Sequence, residues 1–164
     1  MRKIALLMFA IVFLLCGCNT QKTVSPVTKG IKFTLNITCG ETKYNIAAHI
    51  DKGGCMDAVV NSPKEIKGMK ITSNRFETLS EFKNLKYTYN EDEFSGDNYI
   101  IMVYNILSSL ENKKLFFKNG ENCVLNGSFS GEKYIFVFSP SGLPIELNME
   151  SKDLKAEFND IGII

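Results

Sequence analysis

Tryptophan is absent from this 164-residue chain, and histidine occurs once. No indole is therefore available as a protruding anchor, and no pair of imidazoles exists to hold a metal or relay a proton. The sequence contains no Gly-x-Ser-x-Gly elbow, no phosphate-binding glycine loop and no His-Glu-x-x-His, the patterns that would announce a nucleophile, a nucleotide or a catalytic zinc. His49 lies between Ala48 and Ile50 in the outward register of an alternating segment, which suits a solvated imidazole better than a general base. Charge of one sign is lacking as well: 19 basic residues face 18 acidic ones. The basic residues are scattered singly apart from Lys113-Lys114, so the clustered cations that bind phosphate backbones are missing and nucleic acid is not an expected partner. Nor does any apolar run reach the roughly 20 residues that a membrane-spanning helix needs.

What the chain does have begins at its first residue. Met1, Arg2 and Lys3 give a basic start, followed by the uncharged run "IALLMFAIVFLL" from Ile4 to Leu15. A basic head, a short apolar middle and small residues at the end are the parts of a secretory signal. The run ends in Leu15, Cys16, Gly17, Cys18, an aliphatic residue and two small ones before a cysteine, which resembles the lipobox of bacterial lipoproteins. That resemblance implies cleavage after residue 17, acyl chains on Cys18 and loss of Cys16 with the signal. A metal-binding reading of "CGC" wants wider spacing and further ligands nearby. Two acyl chains, at about 0.8 kcal/mol per buried CH₂, make a stable anchor. The expected location is thus the extracytoplasmic face of a cell membrane, held by lipid without spanning. Removing residues 1–17 takes away Arg2 and Lys3 and no acid, leaving a nearly neutral body.

Residues 18–29 are polar, carry Pro26 and show no apolar period, so they are expected to be a tether. Residues 30–164 have the length of a single domain. Three cysteines remain there, Cys39, Cys55 and Cys123; an odd number cannot all pair within one chain. Buried free thiols are the default expectation, with a Cys39–Cys55 bridge as the alternative.

Within that domain the dominant signal has period two. In "IKFTLNIT", Ile31, Phe33, Leu35 and Ile37 alternate with Lys32, Thr34, Asn36 and Thr38, the mark of a strand with one buried face. After the turn "CGET" the alternation resumes in Tyr44, Ile46, Ala48 and Ile50, and "DKGG" leads to a third strand ended by Pro63. The stretch from Lys67 to Tyr89 mixes helical and strand signals and is read as strands. A helix is expected within residues 95–114, with Asp97 as N-cap and Ile100, Val103, Leu107 and Leu110 at helical spacing. Ile101, Tyr104 and Ile106 widen its apolar stripe, so it should be gripped from more than one side. Strands return in "ENCVLNGSF", "EKYIFVFSP", "PIELNME", where Leu143, Ile145, Leu147 and Met149 alternate, and "LKAEFND". The expected fold class is α+β: a curved antiparallel sheet with polar outer face, wrapped on a mid-chain helix.

The order of these pieces, with "DKGG" before a strand ending in "SP", then "IKGMKI", a mid-chain helix and "SGLPIELNMESKDLKAEFND", resembles small lipid-anchored relatives of the LolA and LolB lipoprotein-carrier superfamily. The likeness covers most of the chain after Lys29. It implies an open half-barrel with helical structure in its hollow, where the carriers hold the acyl chains of lipoproteins. It equally implies the role of some LolA-like lipoproteins of spore-forming bacteria, which pair with an envelope enzyme needed for cortex hydrolysis.

No catalytic residue, metal site or cofactor is expected. The acidic cluster Glu91, Asp92, Glu93 lacks the regular ligand spacing and turn glycine of a calcium loop. The positive feature is an inward apolar set: Phe33, Leu35, Ile37, Tyr44, Ile46, Phe136 and Phe138 from strands, with Ile100, Val103, Tyr104 and Leu107 from the helix. Such a set either fills a core, which would make a scaffold, or lines a cavity for a hydrophobic ligand. The expected function is accordingly non-enzymatic: binding of a hydrophobic ligand or acyl chain at the cell envelope, or docking of an envelope protein.

Overall fold

The structure, a computed structural model, describes residues 22–74, 76–90, 98–117 and 120–164. The expected signal, Cys18, Asp97 and the Glu91–Glu93 cluster lie outside the described residues.

Alternation decides most of the fold. Strands β2 (Ile31–Cys39), β3 (Thr42–Ile50) and β4 (Met56–Ser62) form a meander, continued by β5 (Lys70–Ser73), β6 (Glu77–Phe82) and β7 (Leu85–Asn90). A second meander, β9 (Cys123–Phe129), β10 (Glu132–Phe138), β11 (Pro144–Met149) and β12 (Leu154–Ile163), closes the chain. The two are joined where the first strand of one meets the last strand of the other, β2 against β12, with Leu35 opposite Phe158 and Ile37 opposite Ala156. The result is one ten-stranded antiparallel sheet in the order β7-β6-β5-β4-β3-β2-β12-β11-β10-β9, not closed, with β7 and β9 at its edges. A single α-helix among the described residues, α1 (Tyr99–Ser109), is inserted between the two meanders.

Because strand side chains alternate faces, each meander collects its apolar residues on one side. Every residue from Ile100 to Ser108 of α1 is buried, so this helix has no solvated face. Its apolar residues share one core with those of β2, β3, β4, β10, β11 and β12. The expectation of a helix gripped from several sides is borne out. The N-cap is Asn98, whose side-chain oxygen accepts from the Ile101 amide at 3.3 Å.

Three expectations need correction. Residues 22–28 are not a tether: Lys22–Val24 form β1, which pairs antiparallel with β8 (Leu115–Phe117) in a separate two-stranded sheet. Val24 and Val27 pack on the core, Pro26 and Thr28 are buried, and the Val27 amide donates to the Gly142 carbonyl. Gly142 has φ +82, and a Cβ there would collide with the Ser25 carbonyl, so the chain's close approach needs glycine at that turn. Second, Ile145 does not alternate with its neighbours: Phe138 faces Pro144 while Val137 faces Glu146, so a bulge leaves Ile145 half-buried. Third, Cys39, Cys55 and Cys123 are all unpaired and half-buried rather than buried, and the Cys39 thiol donates to the Lys152 carbonyl at 3.4 Å.

Candidate functional site

Ten of the eleven residues singled out as possible cavity lining are buried together in the core: Phe33, Leu35, Ile37, Ile46, Ile100, Val103, Tyr104, Leu107, Phe136 and Phe138. Tyr44 is half-buried and packs against them. Their contacts are tight. The Phe136 and Phe138 rings stack at 4.4 Å, and Phe136 meets Phe158 at 5.7 Å, the separations of a packed aromatic cluster. Tyr104 donates its hydroxyl to the Gly54 carbonyl at 2.6 Å, which anchors α1 to the β3–β4 turn. Alternation thus brought these residues together, as elements of a core.

The same inner face behaves differently at the β7 edge. The register pairs Thr78 with Tyr89, Ser80 with Tyr87 and Phe82 with Leu85, and Ile71 with Ser80. Since Ile71 is buried in the core, Ser80, Phe82, Leu85, Tyr87 and Tyr89 all point to the inner side. Yet Leu85 is 74 % exposed and Tyr87 65 %. Lys83 lies over the Phe82 ring at 5.0 Å from its centroid, and the rings of Tyr87 and Tyr89 lie 5.6 Å apart. Tyr89 marks the inner end of this strip: its hydroxyl accepts from the Asn98 side-chain amide at 3.0 Å, linking β7 to the helix cap. Burial pushes the Tyr89 phenol up, against the opposing hydrogen bonds of Asn98, Thr78 and Ser80. The strip was missed in sequence because "LKYTYN" reads as one more half-buried strand; its period-two pattern of Leu85, Tyr87 and Tyr89 was legible, its lack of cover was not.

A second concavity, of about 960 Å³, lies on the opposite face of the sheet. Its walls are outward side chains of the second meander and β2: Asn126 and Ser128 of β9, Lys133 and Ile135 of β10, Asn148 of β11, Lys155 of β12 and Thr38 of β2. Glu150 and Asp153 stand at the β11–β12 turn, and Gly127, Tyr134 and Leu154 complete the lining. None of the eleven expected cavity residues belongs to it.

His49 is exposed on the outer face and sits 3.4 Å from the Asp57 carboxylate across the β3–β4 pair. No group of three or more His, Cys, Asp or Glu residues placed to hold a metal occurs among the described residues. No described helix is long and apolar enough to cross a membrane. No protein-family model matches the chain, and no curated protein matches it.

Proposed function

We propose that this chain is a lipid-anchored, extracytoplasmic, non-enzymatic binding protein with a curved, LolA-like half-barrel, tied to the membrane through Cys18. Its hydrophobic ligand, an acyl chain, lies along the inner face of the β6–β7 hairpin. The observation that carries this reading is the apolar strip of exposed Leu85 and Tyr87 beside half-buried Phe82, continuous through Tyr89 with the core around α1. An apolar chain laid there would remove that surface from water at about 25 cal/mol per Å². The basic, apolar and cysteine-ended N-terminal pattern supports the address.

The packed interior favours a second reading, a lipoprotein that docks an envelope protein, including an enzyme of sporulation or germination. Phe136, Phe138 and Leu107 are fully buried, so α1 fills the inner face where a carrier would keep room. One titration separates the two. Full-length protein in detergent is titrated with a fluorescent fatty acid, alongside Leu85→Asp and Tyr87→Asp. Saturable uptake by the native protein, weakened at least tenfold in both variants, supports the acyl-chain reading. No uptake at high micromolar probe, with recovery of one stoichiometric protein after crosslinking in cells, moves the assignment to the docking role. Independently, mass spectrometry of the native protein should find Cys18 diacylated and residues 1–17 gone; a bare Cys18 with the leader attached removes the membrane address.

A further inference from the structure

We infer that the outer-face groove of β9–β12 and β2 is a binding site for an uncharged, polyhydroxylated ligand, a short oligosaccharide, separate from the inner-face strip.

The register places its floor in one line. Asn126 stands opposite Ile135, Ile135 opposite Asn148, Asn148 opposite Lys155 and Lys155 opposite Thr38, a row crossing five strands. Four steps of about 4.8 Å make the row roughly 19 Å long, a length suited to an oligomer. From β10 to β2 the row crosses the interior of the sheet, where backbone amides and carbonyls are engaged in the ladders, so recognition there falls to side chains; only its Asn126 end, on β9, lies at a sheet edge.

Charge eliminates the competing ligands. The Lys155 ammonium is held by Glu157 at 2.7 Å and Glu146 at 3.2 Å. An anionic ligand would therefore meet Lys133 as its cation, with the carboxylates of Glu150 and Asp153 in the same lining opposing it. An acyl chain would strip water from Asn126, Ser128, Asn148 and Thr38 and return no hydrogen bond to them. A hydroxyl-rich ligand suits all four, because carboxamides and hydroxyls both donate and accept, as sugar hydroxyls do. Between the two asparagines stands Ile135, 46 % exposed, an aliphatic surface for the C–H face of a pyranose ring. A peptide strand would instead pair with the unpaired backbone along the β9 edge, parallel to the strands, and not lie across them along this row.

The test is calorimetric titration of the full chain, kept in a detergent without a sugar headgroup, with the uncharged tetramers of N-acetylglucosamine and of glucose. The Asn126→Ala/Asn148→Ala variant and a neutral tetrapeptide of glycine and serine run beside them. Saturable binding of at least one tetramer, weakened at least tenfold in the variant while its unfolding midpoint stays unchanged, is the expected result. Binding of neither tetramer up to about 20 mM, equal binding by the variant, or equal binding of the tetrapeptide would each overturn the proposal. The fatty-acid titration above is unaffected by any of these outcomes.

Discussion

The hydroxyl of Tyr104 reaches the carbonyl of Gly54 at 2.6 Å, so the middle of the only described α-helix is fastened to a turn of the first meander. Gly54 has φ +93 and is buried, so water cannot substitute for the lost donor. Tyr104→Phe keeps the ring and leaves that carbonyl without this bond. The expected cost is about 1–3 kcal/mol, read as a lower urea midpoint with an unchanged slope. A midpoint equal to the native one would show that the bond contributes nothing to stability.

Gly127 lies beneath Tyr134, its directly opposite partner on the neighbouring strand, and a Cβ at Gly127 would overlap the Tyr134 ring. Gly127→Ala should therefore destabilise by about 1–3 kcal/mol, the usual range for overpacking, although alanine ordinarily suits a strand better than glycine. The sign identifies the cause. In a Tyr134→Ala background the same substitution should cost less than about 0.5 kcal/mol, because the obstacle is gone. An undiminished cost in the double variant would place the strain elsewhere.

How far the sequence could be read depends on whether each element carries its own period. Ile31 to Ile37 and Tyr44 to Ile50 announced their strands and faces, because alternation over seven residues admits one register. The helix announced its unusual burial through Ile101, Tyr104 and Ile106, which no single stripe can hold. Three-residue strands cannot show a period, so Lys22–Val24 and Leu115–Phe117 were invisible until paired. The outer groove was illegible for another reason. Asn126, Asn148 and Thr38 belong to three strands, and only the strand order, with β2 beside β12, brings them into one row.

Alkaline pH should weaken the fold through groups whose folded pKa values rise. Burial pushes the phenols of Tyr89 and Tyr134 above the ordinary tyrosine range. Lys155 is raised by its hydrogen bond to Glu157 first and to Glu146 next. For each, the stabilising contribution is complete below the unfolded pKa, near 10 for tyrosine and 10.4 for lysine, and is lost as pH climbs through the higher folded value. Stability should thus hold level up to about pH 10 and fall beyond it. Tyr134→Phe should flatten part of that fall. Tyrosinate absorbance should show the variant missing a phenol that titrates late in the native protein. Glu81 works in the opposite direction: its hydrogen bond and charge attraction with Lys86 hold its pKa down, so its contribution exists above the ordinary carboxylate value and disappears as pH falls through the lower folded one. A Tyr134→Phe curve superimposable on the native one above pH 10 would contradict the assignment.

Ser108 presents the reverse of the Tyr104 relationship. Its hydroxyl is buried near the C-terminal end of α1 and has no hydrogen-bond partner among the described residues. A serine in a helix interior can bond back to an earlier carbonyl, as Ser109 does to Ile106 at 2.7 Å, but Ser108 makes no such bond. Its oxygen therefore carries the desolvation cost of burial without the return. Ser108→Ala removes that oxygen and leaves a space of about one atom, while alanine is the better helix former. The two gains exceed the small loss of contact, so the variant should be more stable by about 1 kcal/mol, seen as a raised urea midpoint. Ser108→Thr, which keeps the hydroxyl and adds a methyl group to a packed helix face, should fall below the native midpoint. A Ser108→Ala variant less stable than the native protein would mean that the hydroxyl is satisfied in solution, by water or by a ligand reaching the helix from within.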